Sequence, residues 1–269
     1  MGSYLLTDTH IIESPANKFV ALAIQLQSAK FRRKLGKFVL EGAAYIADIV
    51  DPGRVEYLLV AQSRAHLYGD LCARHTHRVV ADGLMELVCG TVTTRGIAAV
   101  CTIPQYGAED AARTGGLYVV CEALRDPGNL GTIIRTAAAA GAAAVLALPG
   151  CADAYAPKVV RASSGGVLSL PVLTGQCAEQ CLRALRGRGV RIYAAHLDAL
   201  ATPYDVDLRG DNVVVIGNEA RGVSAELAQQ CTGLIKLPMP GAVDSLNASV
   251  AAGIVIYEFL RQNRDKYLC

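Results

Sequence analysis

The sequence is most informative in the run Leu237-Pro-Met-Pro-Gly-Ala-Val-Asp-Ser245-Leu246-Asn247-Ala-Ser-Val-Ala251. Its prolines and glycine predict a loop, and the apolar residues that follow Asn247 predict the start of a helix. Ser245, Leu246 and Asn247 are therefore expected where the loop enters the helix. Because functional residues are concentrated on loops that a rigid scaffold positions, this triplet is the first candidate for a site.

Two further polar segments have the same character, because each follows an apolar run that predicts a strand. They are Gly128-Asn129-Leu-Gly131-Thr-Ile-Ile-Arg135 and Ile216-Gly217-Asn218-Glu219-Ala220-Arg221-Gly222. A helix that begins near Gly131 would place Arg135 in about its first turn, beside the loop that carries Asn129. These two side chains would then lie near one pocket.

The three segments resemble the motifs of the SpoU (TrmH-type) branch of the knotted SPOUT methyltransferases. They occur in that family's order and roughly its spacing, across residues 115–269. One segment alone would be a weak signal, whereas three in order are a specific one. The resemblance implies an α/β protein whose C-terminal domain, residues 113–269, has a parallel sheet with a deep trefoil knot. The knot is implied by the resemblance alone, since knots are otherwise close to absent from proteins.

The resemblance also implies S-adenosyl-L-methionine as the methyl donor, and no metal. Gly217, Leu237 and Leu246 match donor-binding positions. A glycine lets backbone approach a ligand closely, and the two leucines would flank the adenine. Their alternative interpretation is an ordinary strand end and helix start. The sequence lacks the glycine-rich phosphate loops of dinucleotide enzymes and NTPases, which disfavours those two classes.

Five polar residues match the family's catalytic positions: Asn129, Arg135, Glu219, Ser245 and Asn247. A guanidinium stays protonated, so we expect Arg135 to clamp the target phosphate and make the ribose hydroxyl more acidic, not to act as a simple base. Glu219 would orient either Arg135 or a loop amide. The alternative for Arg135 is an exposed position on a helix surface.

Helix capping is the alternative interpretation for the other polar residues of the motifs. Asn218 and Glu219 could cap a helix that begins near Ser224, and Ser245 or Asn247 could cap the last helix; for the last helix, capping and function are compatible. Ala220 stands where the family often has glycine. Because alanine tolerates positive φ poorly, we expect this loop to run slightly differently.

Residues 1–112 predict a separate small α/β sandwich, followed by a polar linker over residues 104–116. Helices are predicted over residues 17–35, 43–50, 67–75 and 83–89, and strands over residues 38–40, 55–60, 78–81 and 96–103. The opening, from Ser14-Pro-Ala-Asn17 through Arg32-Arg33-Lys34 to Phe38-Val-Leu-Glu41-Gly42, is similar to the ribosomal-protein-like substrate domain that precedes SpoU domains in rRNA enzymes.

Residues 113–269 predict a parallel sheet covered by helices on both faces, because continuous β-branched runs alternate with helical patterns. Strands are predicted over residues 117–121, 144–148, 172–174, 191–195 and 213–216, and helices over residues 132–140, 157–163, 178–186 and 248–265.

Positive charge is unevenly distributed along the chain. The net charge of +2 is too small to indicate nucleic-acid binding by itself. The stretch from residue 18 to residue 37, however, has no acidic residue and contains Lys18, Lys30, Arg32, Arg33, Lys34 and Lys37. We expect this basic run to contact RNA phosphates. The alternative is a solvated helix face.

Composition predicts a folded, soluble protein. The chain has 269 residues with 52% hydrophobic and 19% charged content. No apolar run reaches the roughly 18 residues needed to span a bilayer, and residues 1–14 lack a signal-peptide pattern, so we expect a cytoplasmic location. The nine cysteines lack paired zinc spacing, which favours buried free thiols. Cys177 and Cys181 lie one helical turn apart without a second pair to complete a metal site.

The residues and the resemblance together predict an S-adenosylmethionine-dependent RNA ribose 2′-O-methyltransferase that acts on large-subunit rRNA. A homodimer is expected, since the family's motif loops complete their pocket at a subunit interface. The nearest alternative is the same chemistry on tRNA. A non-catalytic RNA-binding assembly factor with an inactive knot is a second alternative, and the presence of all five polar residues disfavours it. A nucleotide-linked oxidoreductase is a third.

Overall fold

The structure is a computed structural model that describes residues 11–49 and 51–267. The chain divides into two compact units. The first extends to Pro104 and includes Tyr155–Arg161, and the second comprises Gln105–Ala154 and the residues from Ala162 onward. The division lies inside the predicted linker and earlier than residue 112, where the first domain was predicted to end. The assignment of RNA binding and methyl transfer to separate domains stays a prediction.

The first unit is a four-stranded sheet with helices. Its elements are α1 (Lys18–Gln25), α2 (Ala29–Leu35), β1 (Lys37–Glu41), α3 (Ala43–Ala47), β2 (Val55–Ala61), α4 (Gly69–Arg74), β3 (His77–Val80), α5 (Asp82–Cys89) and β4 (Ile97–Thr102), with 3-10 turns at Pro52–Arg54 and Gln62–Leu67. The strand order is β1-β4-β2-β3. Strand β4 is antiparallel to both of its neighbours, whereas β3 is parallel to β2. Leu59, Val80 and Met85 are fully buried in its core.

The prediction of a single helix over residues 17–35 is wrong, because the chain forms α1 and α2 with a break between them. Asn17 caps α1 by accepting a hydrogen bond from Phe19 N at 3.0 Å. Extended backbone at Ser28 then precedes α2. The guanidinium of Arg32 donates to the carbonyl oxygens of Leu26 and Gln27 at 2.7 and 2.8 Å, which satisfies backbone acceptors at the end of α1.

The basic run is consequently divided between buried and exposed charges. Arg32 is only 4% exposed, and its guanidinium binds backbone carbonyl oxygens within the first unit. The prediction that Arg32 contacts RNA is therefore wrong. Lys37 forms an ion pair with Glu56 at 2.7 Å. The remaining members of the run are exposed: Lys18, Lys30, Arg33 and Lys34.

The second unit is built on the predicted parallel sheet. Its elements are α6 (Ala108–Ala112), β5 (Leu117–Cys121), α7 (Pro127–Ala139), β6 (Ala144–Ala147), α8 (Pro157–Ser163, shared with the first unit), α9 (Gly166–Ser169), β7 (Val172–Thr174), α10 (Gly175–Gly187), β8 (Arg191–Ala195), β9 (Asn212–Ile216), α11 (Ala225–Ala228), β10 (Gly233–Ile235), α12 (Ala248–Gln262) and α13 (Arg264–Tyr267). The strand order is β10-β8-β9-β5-β6-β7, with every neighbouring pair parallel.

The register of β5 and β9 positions the site. The two strands are neighbours, and Cys121 pairs with Ile216 at their carboxyl ends. In parallel sheets, ligands bind beyond the carboxyl ends of the strands. The residues that follow β5 and β9 therefore lie side by side at the carboxyl ends of the strands, although they are far apart along the chain.

Helix α12 is fixed at both of its ends. Asn247 caps its start. At its other end, the side-chain oxygen of Gln262 accepts from Leu208 N at 2.8 Å, and its amide nitrogen donates to Val206 O at 3.1 Å. The helix is thus held against the segment that joins β8 to β9, as well as against α7 and β9.

The cysteines in the part of the chain that the structure describes form no disulfides. The eight cysteines there are free thiols, four of them buried and four half-buried, so the prediction of buried free thiols is confirmed in full for four. Burial raises the pKa of Cys101 to about 12 and that of Cys181 to about 11, so both stay protonated at neutral pH. Within these same ranges, no helix is both long and apolar enough to cross a membrane.

Candidate functional site

Asn129 lies on a helix, where the sequence predicted a loop. Helix α7 begins at Pro127 and not near Gly131. Proline suits the first position of a helix, and Asp126 caps this one by accepting from Asn129 N at 2.7 Å. The first turn of α7 therefore fixes the backbone of Asn129 directly.

The side chain of Asn129 joins the three motif segments. It is 9% exposed. Its amide nitrogen donates to Glu219 Oε1 at 3.0 Å, and its oxygen accepts from Asn247 Nδ2 at 2.9 Å. Asn218 Nδ2 donates to the second carboxylate oxygen of Glu219 at 3.3 Å. The structure thus brings together Asn129, Glu219 and Asn247. The sequence predicted either Arg135 or a loop amide as the partner of Glu219, and in the structure its carboxylate accepts from side-chain amides.

Asn247 both caps a helix and takes part in this network. Its side-chain oxygen accepts from Ser249 N at 2.9 Å and from Val250 N at 3.3 Å, while its nitrogen reaches Asn129. The two interpretations that the sequence left open are therefore compatible. Ser245 is exposed and is not the cap.

Gly217 is required by a close approach of the chain to itself. A Cβ atom there would lie 2.2 Å from the carbonyl carbon of Gly222 and 2.3 Å from Val223 N. Asn218 and Gly222 bond reciprocally through backbone N and O at 3.0 and 2.9 Å. The left-handed conformation falls on Gly222, with φ +69°. Ala220 has no positive φ, so alanine fits this loop without strain.

Two residues after β5 hold the same loop and were not predicted. Glu122 accepts from Ser224 N at 2.7 Å and from Ser224 Oγ at 2.6 Å. The carbonyl oxygen of Ala123 accepts from Asn218 Nδ2 at 2.9 Å, and Ala123 has φ +50°, which non-glycine residues rarely adopt. Ser224, in turn, caps α11, so the alternative interpretation of Asn218 and Glu219 as the caps of this helix is wrong. The only sequence signal for Glu122 is an acid directly after a buried strand.

A cavity of about 410 Å³ lies beside this loop. The residues that line it all lie within four stretches of the chain, 195–198, 216–222, 235–239 and 245–251. Five predicted site residues are among them: Gly217, Glu219, Leu237, Ser245 and Leu246. The volume lies within the range of small-molecule sites. His196 and Lys236 also line the cavity and were not predicted.

Arg135 stands apart from this arrangement. It is exposed on α7 and does not line the cavity. Its side chain makes no hydrogen bond or ion pair with any residue that the structure describes, so Glu219 does not orient it here. Across residues 11–49 and 51–267, no group of three or more His, Cys, Asp or Glu side chains is placed to hold a metal ion.

Comparison with known proteins identifies the family. The family model described as the SpoU rRNA Methylase family matches residues 116–257, which contain all three motif segments. The chain belongs to this family. An uncharacterised tRNA/rRNA methyltransferase of Synechocystis is 31% identical over 266 residues, 96% of each chain. The 23S rRNA (guanosine(2553)-2′-O)-methyltransferase RlmP of Bacillus subtilis is 32% identical, over 91% of this chain and 97% of that protein.

Solved structures of this family have the same fold. The AdoMet-bound rRNA methyltransferase of Sinorhizobium meliloti superposes with a TM-score of 0.82 at 28% identity, over 94% of this chain and 98% of that one. The resemblance inferred from the motifs is therefore correct, and the α/β fold with a parallel sheet matches that of a family member.

Replacement of Glu122 tests how the loop is held. In Glu122→Ala, Ser224 loses the acceptor of two charge-assisted hydrogen bonds, each worth about 1.5–3 kcal/mol. Local opening should accelerate amide exchange over residues 217–224 by about tenfold or more, with exchange in β5 unchanged. Hydrogen–deuterium exchange mass spectrometry measures this, with Glu122→Gln as the conservative variant. Glu226→Ala, an exposed acid on α11, is the control. Equal exchange in all four proteins would show that Glu122 does not hold the loop.

Proposed function

We propose that this protein is an S-adenosyl-L-methionine-dependent RNA ribose 2′-O-methyltransferase that acts on large-subunit rRNA. The observation that carries the proposal is that the side-chain amide of Asn129 links the three SpoU motif segments by hydrogen bonds beside one cavity. The choice of rRNA over tRNA is supported by the Bacillus relative, which matches along nearly its whole length and is named for 23S rRNA. Because the proposed substrate is ribosomal RNA, the proposed location is the cytoplasm.

The cavity suits the methyl donor in its chemistry. Leu237, Leu246, Ile235 and Met239 supply apolar surface for an adenine, and the loop around Gly217 presents backbone for its polar edges. The donor, when bound, supplies an electrophilic methyl group on a sulfonium. It carries no phosphate, which agrees with the lack of a glycine-rich phosphate loop.

The reaction forms a bond between the ribose 2′-oxygen and the methyl carbon as the carbon–sulfur bond breaks, and the hydroxyl proton passes to solvent. Much of the acceleration in such a step comes from positioning. We assign Arg135 to the RNA: its unpaired guanidinium would hold the phosphate of the target nucleotide and stabilise developing charge on the 2′-oxygen. Asn129, Glu219 and Asn247 would hold the loops that form the cavity. Ser245, exposed on the cavity wall, would meet the substrates directly.

We also propose the trefoil knot of the family for the second unit. The path of the chain supports the knot. The chain leaves β10, an edge strand of the sheet, and returns so that Asn247 donates to Asn129 on α7, the helix that follows the central strand β5. In the first unit, the exposed basic residues Lys18, Lys30, Arg33 and Lys34 would contact RNA phosphates.

A homodimer is the proposed assembly, with α12 at its interface. Val250 and Tyr257 are 50% and 52% exposed and lie seven residues apart, which places both on one face of the helix, with the half-buried Ile254 between them. A Cβ atom at Gly253 of α12 would lie 3.8 Å from Cγ2 of Thr136 on α7, and Thr136 is the neighbour of Arg135. A dimer through this face would bring Arg135 close to the interface, where it could serve a site completed by two subunits.

The position of the methyl group tests the activity. Alkali cleaves RNA through attack of the 2′-oxygen on the adjacent phosphate, so methylation of that oxygen blocks cleavage. After incubation with methyl-labelled donor and large-subunit rRNA, the label should survive alkaline hydrolysis in a resistant dinucleotide. Label in a mononucleotide that follows the base after glycosidic cleavage would contradict ribose methylation.

Arg135→Ala should lower turnover by about a hundredfold or more, the scale seen when one preorganised charge contact to a transition state is removed. Donor affinity, measured by calorimetry, should stay unchanged because Arg135 does not line the cavity. Arg183→Ala, which removes an exposed arginine of α10, is the control and should keep full activity. Loss of donor binding in Arg135→Ala, or full activity, would exclude the assigned role.

Light scattering should give a mass twice that of the 28.3 kDa chain. The double variant Val250→Glu, Tyr257→Glu should be monomeric, because two carboxylates cannot be desolvated in an apolar interface without partners. Leu87→Glu replaces an apolar residue of matching 51% exposure in the first unit and should remain dimeric. A monomeric unmodified protein at micromolar concentration would rule out the dimer.

A further inference from the structure

Two cations of the first unit lie against one aromatic ring, and only one of them belongs to the basic run. The guanidinium carbon of Arg78, on β3, lies 4.6 Å from the ring centroid of Phe19. The ammonium nitrogen of Lys18, at the start of α1, lies 5.1 Å from the same centroid. Both are cation–π distances. Because both distances end at one ring, the two positive charges share one small surface.

The Phe19 ring that carries them is anchored to the first unit. The backbone N–H of Phe19 donates to Asn17 Oδ1 at 3.0 Å, and its carbonyl oxygen accepts from Tyr57 Oη at 2.8 Å. The ring of Tyr57 meets that of Phe19 edge to face, with centroids 5.0 Å apart. Tyr57 is buried and belongs to β2, next to β3 in the sheet. The half-buried Phe19 is therefore fixed through both its backbone and its ring.

Neither cation is neutralised by a residue that the structure describes. No ion pair among these residues includes Lys18 or Arg78. Arg78 Nη1 donates to the carbonyl oxygen of His77 at 2.7 Å. A guanidinium has five N–H donors, and the others of Arg78 have no hydrogen-bond partner within the described ranges. Arg78 is half-buried and Lys18 is exposed, so the surface is open to a ligand at least on the lysine side.

Two cations on one ring suit an anionic ligand. Like charges repel one another, and the ring attracts each cation without removing its charge. An anion placed against this surface would be attracted by both. A phosphate suits Arg78 in particular, because a guanidinium can bind two phosphate oxygens at once, whereas the ammonium of Lys18 acts as a point charge. A chain of phosphates, as in RNA, could engage both charges together.

We propose that Lys18 and Arg78, positioned by the Phe19 ring, form a binding site for backbone phosphates of the RNA substrate. The proposal rests on RNA as the substrate of the proposed function. It extends the RNA-contacting surface from the basic run to Arg78 on β3. Phe19 is a positioning residue in this site, since it contacts the two cations and not the RNA.

Binding of short single-stranded RNAs to the full chain tests the site. The probes are oligouridine and an abasic oligomer, each about 12 nucleotides long, within the range of single-strand binding sites. Arg78→Ala should weaken both by about fivefold at about 0.1 M salt, and should reduce the slope of log affinity against log salt by about 0.7, the amount expected for one phosphate contact with a single strand. Equal effects on both probes are expected because both carry the phosphates.

Matched variants separate charge from packing. Arg78→Lys keeps the charge and should retain most of the salt slope, even where it alters stability in thermal unfolding. Phe19→Leu should weaken both oligomers, whereas Phe19→Tyr, which keeps a ring, should bind as the unmodified protein does. Arg54→Ala is the control: Arg54 is also half-buried but pairs with Asp51 at 3.5 Å, so its loss should leave affinity and slope unchanged.

Four results would overturn the site. They are an unchanged salt slope in Arg78→Ala, a loss confined to the base-bearing oligomer, which would indicate stacking, and no binding of either oligomer by the unmodified protein. The fourth is displacement of the oligomers by inorganic phosphate at constant ionic strength in the unmodified protein but not in Arg78→Ala, which would indicate a site for free phosphate.

Methyl transfer to rRNA, measured in the same preparations, distinguishes this proposal from the proposed function. RNA binding that depends on Arg78, without methyl transfer by the unmodified protein, would refute the function and leave the site standing. Methyl transfer by a protein whose RNA affinity and salt slope are indifferent to Arg78→Ala would refute the site alone.

Discussion

The buried amide of Asn129 is the interaction on which the candidate site depends. Its donor and acceptor are both engaged, by Glu219 and by Asn247, residues 90 and 118 positions further along the chain. Loss of either partner would leave a buried polar group unsatisfied, at a cost of about 1–3 kcal/mol. The first turn of α7, the loop after β9 and the start of α12 are consequently fixed relative to one another. The last two of these segments form part of the cavity wall, so the network helps to hold that wall in place.

The loop after β9 owes its shape to backbone more than to side chains. Gly217 permits the chain to fold back onto Gly222 and Val223 at a distance that excludes any Cβ. The unusual φ of Ala123 is maintained because its carbonyl oxygen is bonded to Asn218, while Glu122 holds Ser224 on the other side. Backbone strain of this kind persists where surrounding structure fixes it, and it is common at functional sites. Glycine at position 217 therefore shapes the loop before any ligand arrives.

Much of the fold follows from local sequence. Continuous apolar runs predict the parallel strands, and β5, β7 and β8 begin and end where they were predicted. Strand β10 was not predicted, because its two apolar residues follow a glycine and form no continuous apolar run. Helix α7 began early because Pro127 and Gly128, which usually indicate a loop, are here its first turn, capped by Asp126. The pairing of Glu122 with Ser224 spans 102 positions, so no local pattern could predict it.

Positive side chains show most clearly what sequence alone leaves undecided. Arg32 and Arg33 are adjacent and chemically identical, yet one is buried against the carbonyl oxygens that end α1 and the other faces solvent. A guanidinium that is buried and already bonded to backbone or carboxylate has little capacity left for RNA. Arg135, by contrast, is exposed and without a carboxylate partner among the described residues, and its backbone belongs to α7. A guanidinium that is exposed and left unneutralised keeps its donors for a ligand of opposite charge, such as an RNA phosphate.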